Sequence, residues 1–232
     1  MNGTRCIRVS LVLAALFAGL MILGAAQVTL GVFEQALQSI PVSDTARHLA
    51  ALELGMGQAD FPSSEALQLI ERLAAASGTA AEKEALLLHV TVASEEGLPI
   101  EGLLTKGLEG LARGVPVSLI ERSIHQRAIL LAETRDLLYA MGIFSVAPGS
   151  PQSVPTAIPT PRFNLLVTHI SDTIADYLEG GRSPFEGQTL YQEVRFRLNS
   201  LEGVILNPAD VELVLKRVEP ADLTRVALSA VT

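Results

Sequence analysis

The sequence predicts an all-α fold, a helical bundle plus a smaller helical module joined by a Pro-rich linker. Three observations lead there. Apolar residues recur at helical spacing, and nothing in the first half of the mature chain alternates with period two as a strand would. Glycines and prolines fall between those runs at positions that end and restart helices. Finally, the charge-free stretch Ala147–Pro161 holds five of the 12 prolines (Pro148, Pro151, Pro155, Pro159 and Pro161). Proline fixes φ and removes a donor, so such a stretch favours an extended, semi-rigid spacer. The expected division is a leader or anchor over 1–26, a spacer over 27–42, and helical module 1 over 43–144. A linker over 145–162 and helical module 2 over 163–232 follow.

Taken in order, the N-terminus carries an address. Arg5 and Arg8 precede Leu11–Ala26, which contains no polar residue, and Gly24-Ala25-Ala26 offers small residues ahead of a cleavage point at Gln27. The same region supports a second reading. From Val9 to Phe33 there is no charge, and only Ser10, Gln27 and Thr29 are polar, so an uncleaved segment is also long enough to span a bilayer. Both readings keep the arginines inside and export the rest, leaving it periplasmic or tethered to the inner membrane.

The first module reads as a chain of helices with legible ends. Ser43 and Asp44 open a short one that fades at Gly55 and Gly57, and Pro62 starts another whose stripe is Leu67, Ile70, Leu73 and Ala74. Thr79-Ala-Ala-Glu82 has capping-box spacing, in which hydroxyl and carboxylate satisfy each other's exposed amides. The helix it opens is apolar nearly all round, which predicts the buried centre of the module. Gly97 closes it and Pro99 restarts the chain. Gly114-Val115-Pro116 forms a stop, after which a long helix is expected over 117–141. Ile120, Ile124, Leu131 and Leu138 make one seam of it; Leu119, Leu130, Leu137 and Met141 make a second, which implies two partner elements.

In the second module, Leu166, Ile170, Ile174 and Tyr177 line one helix, which stops at Gly180-Gly181. Ser183-Pro-Phe-Glu186 has the spacing of another capping box. A tandem repeat closes the chain: Asn207-Pro-Ala-Asp210 and Glu219-Pro-Ala-Asp222, each followed by apolar residues at helical spacing. Two short helices are expected, with Asp210 and Asp222 each capping its own N-terminus. A module this small is marginal alone and is expected to dock on the first.

Gly97-Leu-Pro99 followed by Lys106-Gly-Leu-Glu-Gly-Leu-Ala-Arg-Gly-Val-Pro116 resembles a pattern in exported bacterial helical proteins of unknown function. Those proteins pair a Gly-Leu-Pro helix start with a Glu-Gly-(Leu or Ala)-Ala-(Lys or Arg)-Gly-Val-Pro helix–turn. The resemblance implies an exported helical protein and brings no activity. Chain reversal explains its glycines and proline, with an anion or peptide site at the following helix N-terminus as the alternative.

Composition narrows the chemistry. The chain of 232 residues carries a formal charge of −8, and residues 1–26 add only positive charge, so the remainder is more acidic still. Nucleic acid is therefore not expected as a partner, and tight binding to anionic lipid headgroups is disfavoured. The single Cys6 precedes the apolar run and rules out a disulfide framework or cysteine-rich metal sites. No phosphate loop or dinucleotide fingerprint occurs, and no cofactor is expected.

Two constellations stand out. His169, Asp172 and Asp176 share one helix face, as a divalent cation or an acid–base pair would require. That face lies roughly opposite the apolar stripe, so the simpler expectation is a solvated polar surface. Arg127 falls inside the arc of Ile120, Ile124 and Leu131, where a charge must be paired. It is expected to snorkel or to pair with an acid such as Glu82 or Glu109, with anion recognition between helices as the alternative. Of the other histidines, His89 is expected in the core, His125 beside Glu121 as an i,i+4 pair, and His48 without a constellation. The expected function is a non-enzymatic interaction or structural factor of the bacterial cell envelope whose partner is another envelope protein. The alternatives are a metal-dependent enzyme or binder using His169, Asp172 and Asp176, and a periplasmic carrier of an apolar ligand.

Overall fold

The computed structural model describes residues 28–57, 61–143 and 160–232. The proposed leader and nearly all of the Pro-rich linker lie outside these residues. The described chain forms α1 (Leu30–Leu37), α2 (Thr45–Met56), α3 (Ser63–Ala75), α4 (Ala80–Glu95) and α5 (Glu101–Ala112). It continues with α6 (Val117–Ala140), α7 (Thr160–Glu179), α8 (Gly187–Leu201), α9 (Pro208–Arg217) and α10 (Pro220–Ser229). The fold is all-α; among the described residues the one extended pairing is an isolated bridge between Glu202 and Leu206.

Most helix ends form as the local sequence dictates. Asp44 accepts the Arg47 amide at 3.0 Å to open α2. The Thr79–Glu82 box is present in both directions, with Thr79 N–H donating to Glu82 Oε2 at 2.7 Å and Glu82 N–H to Thr79 Oγ1 at 3.2 Å. At the end of α5, Gly114 takes φ +68, its N–H reaches the Leu111 carbonyl, and the Val115 N–H reaches the Gly110 carbonyl. That double closure satisfies the last carbonyls and needs a residue without a Cβ penalty in the left-handed region. The tail repeat yields α9 and α10, ten residues each.

Four local expectations are corrected. The 27–42 spacer contains α1, whose Phe33 and Leu37 are buried with Ile40 in the protein core. Ser183–Glu186 is a turn rather than a capping box: Glu186 bonds the Tyr177 hydroxyl at 3.0 Å, and α8 starts after it at Gly187. Asp222 caps α10 by accepting the Glu219 amide at 3.0 Å, but Asp210 turns inward to Arg162 at 2.7 Å, leaving Asn207 to cap α9 through the Ala209 amide. Finally, Leu119 in the second seam of α6 is half exposed, at 50%.

Apolar side chains from α1 to α10 form one continuous core. α6 is its axis, touching α4, α5, α7 and α10, so the long helix rather than α4 occupies the centre. Two seams on α6 thus serve four neighbours, because its 24 residues are long enough to meet different helices along their length. The helices before and after the linker are further locked by polar bonds. Ser171 Oγ donates to the Leu130 carbonyl at 3.2 Å, and the Arg217 guanidinium donates to the carbonyls of Met141 and Gly142 at the end of α6. At α3, the buried Lys83 ammonium donates to the Ala74 carbonyl at 2.9 Å and supplies the terminal carbonyl with a partner.

One close approach has a measurable consequence. A Cβ on Gly187 would lie 2.2 Å from Thr224 Oγ1 and 2.7 Å from the Pro220 carbonyl oxygen, where α8 meets the start of α10. Gly187→Ala is expected to cost about 1–3 kcal/mol through overpacking, read as a lowered urea midpoint with an unchanged m value.

Candidate functional site

The two anomalies of the sequence are halves of one cluster. On α7, Asp172, Asp176 and Glu179 follow at four- and three-residue spacing and so project from one face. That face is turned onto α6 rather than left to solvent. Arg127 Nη1 bonds Asp172 Oδ1 at 2.7 Å, and Nη2 lies 3.4 Å from Asp176 Oδ1 and 3.3 Å from Glu179 Oε1. Lys106 on α5 bonds Glu179 at 2.9 Å, and Arg197 on α8 reaches Asp176 at 3.5 Å. Three acids meet three bases, contributed by four helices.

Neither acid expected for Arg127 is its partner. Glu82 is held in the Thr79 box, and Glu109 lies 3.9 Å from Arg113 on its own helix. Distance along the chain hid the true partners, which come from beyond the Pro-rich segment. Glu179, Lys106 and Arg197 were missed altogether. Only Glu179 left a signal, as the next member of the acidic stripe.

Burial grades this network. The Arg127 side chain keeps 13% of its exposure and Asp172 30%, whereas Asp176 and Glu179 keep 52% and 45%. Burial pushes the Asp172 carboxyl above its usual range, and Arg127 beside it pulls in the opposite direction. For Glu179 burial also opposes ionisation, but the Lys106 hydrogen bond and the Arg127 charge overcome it, and its pKa is lowered. The short Arg127–Asp172 bond is the one with energetic weight, since the outer pairs face solvent that screens them. Beside it lies a cavity of about 10 Å³ lined by Gly102, Arg127, Ser171 and Asp172 among others, room for about one water. Arg127 Nε and His169 Nδ1 are buried without a hydrogen-bond partner.

His169 therefore belongs to the same neighbourhood but not to the ionic network. Burial lowers its pKa, a shift that the Asp172 charge opposes and the Arg197 charge reinforces, so its ring is neutral at pH 7. Among the described residues no group of three or more His, Cys, Asp or Glu is placed to hold a metal ion. Chemically, the cluster clamps helices: each of its three carboxylates is bonded to a cation from another helix.

The remaining histidines fall elsewhere. His48 is buried, with Nδ1 2.6 Å from Thr91 Oγ1, beside a cavity of about 30 Å³ lined by Leu37, Phe61, Leu69 and Leu87 among others. Burial lowers its pKa. His89 is half-buried rather than a core residue, and its Nε2 lies 2.7 Å from Glu121, the acid expected to serve His125. His125 instead stacks on the His89 ring with centroids 4.4 Å apart.

No protein-family model, curated protein or solved structure matches the chain.

Two tests follow from the geometry. Arg127→Ala strands a largely buried carboxylate and is expected to cost about 2–3 kcal/mol, scaled down from fully buried pairs because Asp172 retains some solvent. An Arg127→Ala, Asp172→Ala double-mutant cycle in urea should return a coupling of about 1–2 kcal/mol, whereas Arg197→Ala should cost under about 1 kcal/mol. The second test concerns pH. His48 and His169 bind a proton less readily folded than unfolded, so the unfolded chain gains protons first as pH falls below about 6.5. The contribution of these two histidines to stability is thus complete above that pH and lost as pH falls below it. Tm should fall between pH 7.5 and 5.5, and His169→Gln should flatten that slope.

Proposed function

We propose that this protein is a non-catalytic helical interaction factor of the bacterial cell envelope, exported by its N-terminal apolar run and acting on another envelope protein. One observation carries the non-catalytic part. The charged residues best suited to chemistry, Asp172 and Asp176 with Arg127, are bonded to one another across α6 and α7. A catalytic pair keeps at least one group within reach of a reacting atom, and here both carboxylates face a guanidinium.

Support for the envelope assignment comes from the sequence. The Arg5/Arg8 flank, the apolar run to Ala26 and the Gly-Leu-Pro pattern all point to export. Phe33 lies in the protein core, so a membrane-spanning segment would end before it. Among the described residues no helix is long and apolar enough to cross a membrane.

Topology gives the deciding experiment. In a Cys6→Ser background, a cysteine placed at the exposed Leu54 (56%) provides a lone thiol. A membrane-impermeant maleimide should label it in spheroplasts as fully as in lysed cells. Labelling only after lysis would overturn the envelope assignment. Amino-terminal sequencing then separates a released protein beginning at Gln27 from a tethered one. In-cell cross-linking is expected to recover a stoichiometric protein partner; a chain that cross-links to nothing would refute the interaction role.

A further inference from the structure

α2 is held by a titratable group where the other helices are held by apolar ones. Its buried residues are His48, Ala51 and Gly55, so the one large side chain it buries is an imidazole, 4% exposed. Leu49, Leu52 and Met56 reach the core only in part. The helix packs on α4 and α1. His48 Nδ1 lies 2.6 Å from Thr91 Oγ1 of α4, and the Ser94 hydroxyl donates to the Ala51 carbonyl at 3.2 Å. Two exposed polar pairs flank this dry contact. Glu84 accepts the Ser43 amide at 2.7 Å, and Arg47 makes a two-pronged bond to Glu95 at 2.9 and 2.7 Å. Solvent screens both.

Under α2 lies the cavity of about 30 Å³, which His48 and Ala51 border together with Leu37 of α1, Leu69 of α3, Leu87 of α4 and Leu104 of α5. Phe61 lines the same space and lies against Gly55, where a Cβ would come within 2.2 Å of its ring. α2 is thus the wall that closes an apolar chamber built by four other helices.

The charges that act on His48 are Asp44 and Arg47 on its own helix and Glu84 and Glu95 on α4. Glu34, the one charge of α1, is exposed and is not among them, and α3 and α5 turn apolar side chains to the cavity. All three carboxylates are already engaged: Asp44 by the Arg47 amide, Glu84 by Ser43 and Glu95 by Arg47. Their attraction for a protonated ring is outweighed by burial, which holds the His48 pKa below its ordinary value. The Ser43 bond lowers the Glu84 pKa and the Arg47 bond lowers that of Glu95, so both stay ionised between pH 7.5 and 5.5.

We propose that α2 is an acid-released cover: a proton taken from solvent by His48 lifts the helix off α4 and opens the apolar chamber, while the rest of the bundle stays assembled. α1 remains because Phe33, Leu37 and Ile40 anchor it at 0–3% exposure. A ring that binds its proton more tightly in the open form favours closure fully above about pH 6.5 and opening progressively below it. The device is local and independent of the envelope assignment.

Amide hydrogen exchange on the full chain, corrected for the pH dependence of the chemical rate, reads the opening of α2 and of the central α6 separately. Between pH 7.5 and 5.5, protection over Thr45–Met56 should fall roughly five- to tenfold, the span available to one histidine whose open-state pKa is about 6.5. α6 should stay at least about tenfold better protected than α2 at both pH values. His48→Gln keeps a hydrogen-bonding side chain that does not titrate, and should leave α2 protection flat over that range; His48→Leu serves the same purpose if the amide fails to fold. An α2 protection that does not change with pH would overturn the proposal. So would equal protection of α2 and α6 at both pH values, which would make the opening global, or a slope that survives in a folded His48 variant. If neither variant folds, the wild-type comparison decides. None of these results bears on the cross-linked partner or the topology label, so the two proposals stand or fall separately.

Discussion

The arrangement of this protein depends on one largely buried cation of its central helix. Arg127 sits on the central helix within an otherwise apolar seam, and a guanidinium does not shed its proton to escape burial. It must be met by carboxylates, and Asp172 meets it at 2.7 Å. Apolar burial contributes most of the energy that holds α7 against α6, but such contact is indifferent to small slides and rotations. A short charge-assisted bond is not, so the pair selects one register out of several that the leucine seams would tolerate. The placement of α8 agrees with that register, since Arg197 closes on Asp176 from outside.

The same pairing separates structure from chemistry in this molecule. His169, Asp172 and Asp176 share a face, as an acid–base site would require, yet an arginine from another helix occupies the carboxylates. The histidine is left neutral and partly buried. The resulting network is balanced in charge and graded in exposure, with its strongest bond at the dry end. Such a device positions helices.

Features decided within a turn or two of chain are legible in the sequence. The Thr79–Glu82 box, the Gly114 stop and the Glu219–Asp222 cap each involve groups within six residues of one another, and local backbone geometry decides them with little outside help. The buried face of α7 likewise follows from spacing, with Leu166, Ile170 and Ile174 at 0–1% exposure. The failures share a different cause. Ser183–Glu186 has the right spacing for a capping box, but the Tyr177 hydroxyl competes for Glu186. Asp210 has the right position for a cap, but Arg162, 48 residues away, offers a full charge instead of an amide. In each case a distant group outbid the local one.

Composition, periodicity and chain punctuation by themselves determined that this protein is helical, where most helices begin and end, and which faces are apolar. These properties depend on torsions and on neighbours one turn away, which any short segment carries with it. Tertiary structure alone decided that α1 joins the core, that α6 is the axis, and that Arg127 is answered from beyond the Pro-rich segment. Those outcomes turn on which charges and surfaces meet after the chain folds back on itself. Spacing along the sequence records the face a residue occupies, but not the residue that will face it.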